Sequence, residues 1–515
     1  MTIDLQNYTE STWRPASSTA RQRLLDPVLG TDLAYAGADS VDMAGCYRWA
    51  RQQGGGALRG LSYPQRAELL DSIRQVLQTN RDRYLDISLQ NSGTVERDSS
   101  IDVDGALYTL SYYATLGRSL PDAHHLADGE RVSLSRDGSF GTQHILVPSH
   151  GVALLINAFN FPSWGLWEKA APALLSGVPI VVKPATATAW LTYEMVRDVI
   201  QAGVLPDGAL SLVCGRPAGL LDALEPLDLL SFTGSADTAA ELRGHPRIQH
   251  DGVRFNAETD SINSAILAPD GSNQAEDLLV REVERELTSK SGQKCTAIRR
   301  IMVPADRFDA VAQALEARFS KVTVGDPRNP DVRMGSLVSR SQRRAVEAGI
   351  DALSASCETL FDGRTRTLVQ APDDSACVPP VLFGARDPDN CPAVHRTEVF
   401  GPVATLMPYR DAAHAFSLAR RGMGSLVASV YGEDLAGLAR AAEQLAESHG
   451  RVHLISPEIA KTQTGHGNAM PQSNHGGPGR AGGGQELGGL RALNFYHRQA
   501  AVQGYADALE HIAPA

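Results

Sequence analysis

The segment KSGQKCTAIRR, residues 290–300, sets Cys295 among Lys290, Lys294, Arg299 and Arg300. A cysteine attacks as its thiolate, and cations close by lower the thiol pKa. Cysteine is also a common small filler of protein cores, and the local sequence leaves both readings open. Glu258, in VRFNAETDSINSAIL, lies between two apolar strand-like segments. It is there either a solvated strand-end carboxylate or, beside a nucleophile, a general base for water. Asn160, in NAFNFPSW, follows a buried-type strand. Its amide can donate to a developing oxyanion or simply satisfy turn backbone. Lys183, in VVKPAT, ends another such strand and can reach a ribose hydroxyl or a phosphate. FTGS, residues 232–235, makes a small-residue turn into a helix N-terminus, which suits phosphate. The first βα turn has no GxGxxG, so the standard dinucleotide fingerprint is absent. No histidine stands in a recognisable partner motif, which weighs against a cysteine hydrolase.

These residues need elements to hold them. Residues 64–92 carry Leu69, Leu70, Ile73, Val76 and Leu77 at helical spacing, which predicts a helical start. Residues 131–149, RVSLSRDGSFGTQHILVPS, alternate about a central Asp-Gly and predict a β-hairpin. From residue 151, short apolar strands alternate with helices. The order is VALLIN (152–157), a helix ending near Gly177, PIVVKPA, a helix stopped by Gly203, LSLVCG, a further helix, and LLSFTGS (229–235). That alternation predicts a mostly parallel, doubly wound α/β sheet. Ligands of such sheets sit past the carboxyl ends of the strands, here NAFNF, KPAT, VCG and FTGS. A second βα region runs from NSAILAP (263–269) to about residue 455, through a helix with Leu279, Val283 and Leu287 on one face. The tail, HGGPGRAGGGQELGGLRALNFYHRQAAVQG, has eight glycines between 476 and 489 and then a strand-like end.

A chain of 515 residues exceeds what one core organises and predicts two or three domains. A net charge of −11 weighs against nucleic acid or an anionic membrane as partner. The N-terminus has no basic stretch before an apolar core, so no signal peptide is expected. The apolar runs GVALLINAF and ALLSGVPIVV fall short of the ~20 residues of a membrane helix. The six cysteines show no CxxC spacing, so neither a disulfide framework nor a bound metal is expected. Together these predict a cytoplasmic, multidomain protein.

In order and spacing, the candidate residues resemble the aldehyde dehydrogenase superfamily from about residue 20 to 505. The resemblance rests on FNFP with Asn160, VVKP with Lys183, FTGS, Glu258, GQKC with Cys295, EVFGP (398–402) and GGGQELGG. It implies an α/β aldehyde dehydrogenase fold of two doubly wound parallel-sheet domains plus a small β oligomerisation arm. Residues 1–130 and 150–260 would form the dinucleotide-binding domain, 261–475 the catalytic domain, and 131–149 with 490–515 the arm. It further implies that Cys295 attacks an aldehyde, that Asn160 and the Cys295 N–H hold the oxyanion, and that Glu258 activates water against the thioester. Lys169 and Glu486 match proton-relay positions. Lys183 would hold the adenosine ribose, and Glu398 and Phe400 the nicotinamide ribose and ring. Ala158, Phe159, Ala185, Thr186, Gly215, Phe232, Thr233, Gly234, Ser235 and Thr259 would complete the cofactor site.

Members that prefer NAD place a glutamate three residues after that lysine. Thr186 stands there, so NADP is the expected cofactor and NAD the weaker alternative. NAETDSIN replaces the ELGG of many members, keeping the carboxylate and losing two glycines. NAFNFPSWGLWEKAAPALLSGVPIVVKPATATAWLT, SGQKCTAIRR and HGGPGRAGGGQELGGLRAL resemble one branch, which acts on CoA-thioester semialdehydes in benzoate and phenylacetate breakdown. Its bifunctional members carry a hydratase domain for which this chain has no room, so a stand-alone dehydrogenase is expected, as a homodimer rather than a tetramer. Two other enzymatic readings stay open. One is a broad-specificity dehydrogenase for aldehydes without CoA. The other is a CoA-acylating enzyme, against which Glu258 argues because such enzymes generally lack that base. A non-enzymatic oligomer is disfavoured by the intact set of Cys295, Asn160, Glu258 and Glu398.

Overall fold

The computed structural model describes residues 2–16 and 21–512. Two seven-stranded sheets dominate it. The first runs Arg254–Glu258, Leu229–Thr233, Ala153–Ile156, Ile180–Lys183, Leu210–Leu212, Asn7–Thr9 and Thr12–Arg14. Its first five strands are parallel, and the N-terminal hairpin joins through an antiparallel pair. The second runs Glu358–Asp362, Val381–Gly384, Val403–Tyr409, Ile298–Pro304, Asn263–Leu267, Ser425–Tyr431 and His449–Ile455. Only its first strand is antiparallel to its neighbour. Central strands such as Ala153–Ile156 and Ser425–Tyr431 are buried at every residue, which is why they read as unbroken apolar runs.

The strand order reverses at Ala153–Ile156, so the crevice of the first sheet opens beyond Ile156, at Asn157 to Asn160. From Glu258, at the carboxyl end of its strand, the chain enters the second sheet at Asn263. The carboxyl edge of one sheet therefore faces the amino edge of the other, and the gap between them holds the candidate residues. The helix Asn273–Thr288 is capped by Ser272, which accepts from Ala275 N, and it buries Leu279, Val283 and Leu287 as its spacing predicts.

The structure corrects three local expectations. No helix forms between Leu212 and Leu229; Gly219 to Leu224 make only turns, because Gly215, Pro217, Gly219 and Pro226 leave too short a stretch to nucleate one. Residues 64–92 are two helices, Tyr63–Thr79 and Arg81–Ser92, broken at Asn80. The hairpin starts earlier than 131, with strands Leu126–Ser133 and Phe140–Pro148. Strand His497–Tyr505 pairs along the second of these, from His497 opposite Pro148 to Tyr505 opposite Phe140. No helix among the described residues is long and apolar enough to cross a membrane.

Candidate active site

Cys295 lies in the loop that joins helix Asn273–Thr288 to strand Ile298–Pro304. The backbone before it is left-handed three times running, with φ of 49° at Lys290, 54° at Ser291 and 68° at Gly292. That conformation costs about 1–2 kcal/mol for each residue bearing a Cβ, so neighbours must hold it. Asp98, buried on helix Glu96–Arg118, accepts from Lys290 N at 2.7 Å and Ser289 Oγ at 3.1 Å. Ser291 Oγ donates to Gly335 O at 3.0 Å, and Gln293 Oε1 accepts from Val338 N at 3.0 Å. A Cβ on Gly292 would sit 2.4 Å from Gly401 O. Asn263 Nδ2 donates to Cys295 O at 2.8 Å, fixing the nucleophile's own peptide. Asn160 Nδ2 donates to Gln293 O at 3.0 Å, which satisfies turn backbone. An amide nitrogen carries two hydrogens, and one is left for the cleft that Asn160 lines.

The four cations around Cys295 in sequence are all engaged elsewhere. Lys294 Nζ meets both oxygens of Glu286 at 2.8 Å. Lys290 Nζ sits 4.5 Å above the Phe161 ring and 3.9 Å from Asp102. Arg299 donates to Gly401 O and Gly292 O, and Arg300 to Ile262, Leu418 and Ala419 carbonyls. They build the loop, and the pull of Arg299 on the thiol is outweighed. Burial pushes the Cys295 thiol well above its ordinary value, and the Glu258 carboxylate pushes it further. Of the two readings the local sequence left open, activation by the neighbouring cations is the one the geometry does not support, and the raised thiol needs a proton acceptor.

Two acceptors stand beside it. The ligand atoms of Glu258, Cys295 and His475 lie within 4.8 Å of one another. His475 Nε2 is 2.8 Å from Glu258 Oε2. Burial works to raise the Glu258 carboxyl, but the imidazole of His475 and the ammonium of Lys169 outweigh it and hold it well below the usual carboxylate range. Glu258 is 2% exposed, so the solvated strand-end reading fails.

Lys169 and Glu486 meet behind this pair. Lys169 Nζ is 2.8 Å from Glu486 Oε2 and 2.5 Å from Glu168 Oε1, all buried. Glu486 Oε1 also accepts from Ser231 Oγ at 2.9 Å and Asn256 Nδ2 at 3.1 Å. Burial drives the Glu168 carboxyl well up, against the pull of the Lys169 ammonium. Glu168, Glu258 and Glu486 approach within 4.8 Å of one another, which makes a continuous carboxylate path.

A cleft of about 430 Å³ opens on the first sheet's side of Cys295. Ala158, Phe159, Asn160, Lys183, Ala185, Phe232, Thr233, Gly234, Ser235, Glu258, Thr259, Glu398 and Phe400 line it, as expected, together with Gln342 and Asp260. Thr186 and Gly215 do not. Thr186 starts the turn just beyond Ala185, and Gly215 packs with φ of 130° against Gly37 and Ala38. The helix start at FTGS offers less to phosphate than its sequence suggests, because Ser235 Oγ accepts from Thr238 N and Asp260 from Ala236 N. The cleft does fit a nucleotide in other respects. Among the described residues Glu398 Oε1, Thr233 Oγ1 and the Asn157 amide are buried acceptors or donors without a partner. Burial pushes the Glu398 carboxyl up to about 7, against the pull of Arg299.

On the other side of Cys295 is a cavity of about 270 Å³, mostly apolar, lined by Ile101, Tyr108, Phe161, Trp164, Met470 and His475 among others. Cys295 lines both cavities. Sequence reading missed this second cavity, Glu168 and His475. The helix 96–118 gives no chemical motif, and His475 stands beside a Gly-rich run that draws attention to Glu486 instead.

The profile of the aldehyde dehydrogenase family matches residues 13–502. The chain is 48% identical over 480 residues, 92% of this chain and 93% of the relative, to a 3,4-dehydroadipyl-CoA semialdehyde dehydrogenase of Aromatoleum evansii. Among solved structures, betaine aldehyde dehydrogenase of Staphylococcus aureus in complex with NAD+ superposes with a TM-score of 0.84 at 22% identity, covering 97% of this chain and 95% of that one. An aldehyde dehydrogenase C variant from Pseudomonas syringae, with NAD+ and octanal, gives 0.84 at 22% identity, covering 98% and 97%.

The loop geometry leads to two measurements. Gly292→Ala meets the Gly401 carbonyl in a left-handed conformation, and kcat is expected to fall at least about tenfold, with a lower Tm by calorimetry. Because the thiol is raised, alkylation of Cys295 by iodoacetamide in the enzyme alone is expected to be slower at pH 7 than that of a free thiol. It should climb only at a higher pH than that of the free thiol, read by mass spectrometry. Rapid alkylation at pH 7 contradicts a raised thiol.

Proposed function

The chain belongs to the aldehyde dehydrogenase family, and within it we propose the NADP-dependent oxidation of a CoA-linked semialdehyde, 3,4-dehydroadipyl-CoA semialdehyde or a close analogue, to its carboxylic acid. The observation that carries this reading is Cys295 at the junction of a nucleotide-sized cleft and an apolar cavity, with Glu258 beside it. Similarity to the Aromatoleum evansii protein supports the choice of substrate. A six-carbon acyl chain suits the apolar cavity, and the CoA moiety would extend outward past Tyr108, which is 45% exposed.

The thiol gives its proton to Glu258 and attacks the aldehyde carbon. The oxyanion receives the free Asn160 N–H and the Cys295 N–H; one such donor is worth about 3 kcal/mol. The nicotinamide cofactor, when bound, supplies the acceptor for the hydride. Glu258 then hands the thiol's proton on, and Lys169, between Glu168 and Glu486, offers it a route away from the site. The freed carboxylate takes a proton from water, which attacks the thioester carried by Cys295, and that second proton returns to the sulfur. Release of the acid restores the thiol.

For the cofactor, Glu398 Oε1 would accept from a ribose hydroxyl, and Phe159 and Phe400, edge to face at 5.7 Å, would wall the nicotinamide. Burial and the neighbouring Arg216 lower the Lys183 ammonium, which brings a second cation to the ribose end of the cleft. Two cations beside the neutral Thr186 favour a 2′-phosphate. The arm supports assembly as a dimer: its sheet exposes Val132 at 56%, Phe140 at 44% and Tyr505 at 66%.

Steady-state kinetics test the cofactor choice. kcat/KM with NADP is expected to exceed that with NAD, and Thr186→Glu to lower the NADP value by about tenfold or more. A preference for NAD in the wild type overturns it. Comparison of a CoA-linked C6 semialdehyde with hexanal tests the substrate; equal kcat/KM removes CoA from the proposal and leaves the chemistry. Val132→Asp with Phe140→Asp is expected to yield monomers by light scattering.

A further inference from the structure

The proposed chemistry leaves His475 without a task. It lies on strand Asn474–Gly476, directly opposite Glu486 in the antiparallel pair with Gln485–Leu487. One short strand pair thus carries Glu486 to Lys169 and His475 to Glu258. The ring is 1% exposed and 5.4 Å from the Trp164 ring. Its Nε2 is 2.8 Å from Glu258 Oε2, and neither atom has another hydrogen-bond partner among the described residues.

We propose that His475 is a positioning residue for thioester hydrolysis, pairing with the Glu258 carboxylate and holding it ionised and turned toward Cys295. This rests on the reading of Glu258 as the base for water. The charges around Glu258 explain the need. Glu168, Glu258 and Glu486 crowd together, and the one ammonium among them, Lys169, is spent on Glu168 and Glu486. Arg451 is turned to the carbonyls of His466 and Asn468, Lys294 to Glu286, and Glu398 to Ser261 N. Without His475, the nearest partners of buried Glu258 are the Cys295 thiol and a Lys169 ammonium already shared by two other carboxyls, and burial then favours the protonated form. A protonated Glu258 cannot deprotonate water.

In the step itself, water gives a proton to Glu258 as its oxygen bonds to the thioester carbon. The C–S bond then breaks, the electron pair stays on the Cys295 sulfur, and that sulfur takes back the proton. The step passes no proton through His475, and nothing is oxidised or reduced.

The experiment uses His475→Phe, which keeps a ring against Trp164, and His475→Gln, which keeps an N–H donor without the imidazole. Enzyme turning over aldehyde and NADP is quenched in acid and weighed intact. In His475→Phe the thioester on Cys295 is expected to accumulate, kcat at pH 7 to fall about tenfold, and the acidic limb of kcat to move up by about one pH unit or more. The KM for NADP should stay within about twofold, because the cleft is untouched. His475→Gln should fall between the two, and it carries the same readouts if the phenylalanine variant does not fold. An unchanged acidic limb with no accumulated thioester overturns the proposal. Wild-type enzyme that forms no thioester with any aldehyde overturns instead the function from which it starts.

Discussion

The backbone amide of Lys290 donates to the carboxylate of Asp98, across 192 positions of sequence. That bond and its neighbours hold three consecutive left-handed residues that would otherwise relax, and they decide where the next turn points. The position of the nucleophile depends on it. Cys295 reaches the nucleotide cleft and the apolar cavity together only because the loop folds back between the two sheets. Asn263 and Asn160 grip the same loop from the second and first sheet respectively. The nucleophile is therefore placed by elements from both sheets, and strain in its loop is balanced by bonds to buried partners whose loss would be costly.

The second constraint is a shortage of positive charge. A dry pocket with several carboxylates cannot keep all of them ionised. Lys169 lies between Glu168 and Glu486 and also draws Glu258 down, burial drives the Glu168 carboxyl up, and the imidazole of His475 stands against Glu258. The abundant cations next to Cys295 in sequence contribute little beyond the pull of Arg299 on Glu398, since each is bound to a carboxylate, a ring or backbone carbonyls.

The alternation of apolar strands and helices from residue 151 was legible because strands buried on both faces leave uninterrupted hydrophobic runs. Asn160, Lys183, Glu258 and Cys295 were legible as groups at strand ends or in a loop between elements. The electrostatics of Cys295 were not, because sequence proximity says nothing of where four long side chains point. Nor was the absence of a helix after Leu212, where glycines and prolines outweigh a short run of leucines. His475 was hidden for another reason: its partner is brought to it by a pairing of strands more than two hundred residues from the Glu258 strand. Thr186 and Gly215 show the reverse, since strand-end position placed them near the cleft but not in its wall.

The strand pair 474–487 also bears on how the chain comes into being. Cys295 and Glu258 leave the ribosome well before His475 and Glu486, which are synthesised about 10–40 s later at ~5–20 residues per second. Until that late segment docks, Glu258 lacks the imidazole 2.8 Å from it and Lys169 lacks the carboxyl of Glu486. On the function proposed above, the site is complete only once this last strand pair has formed.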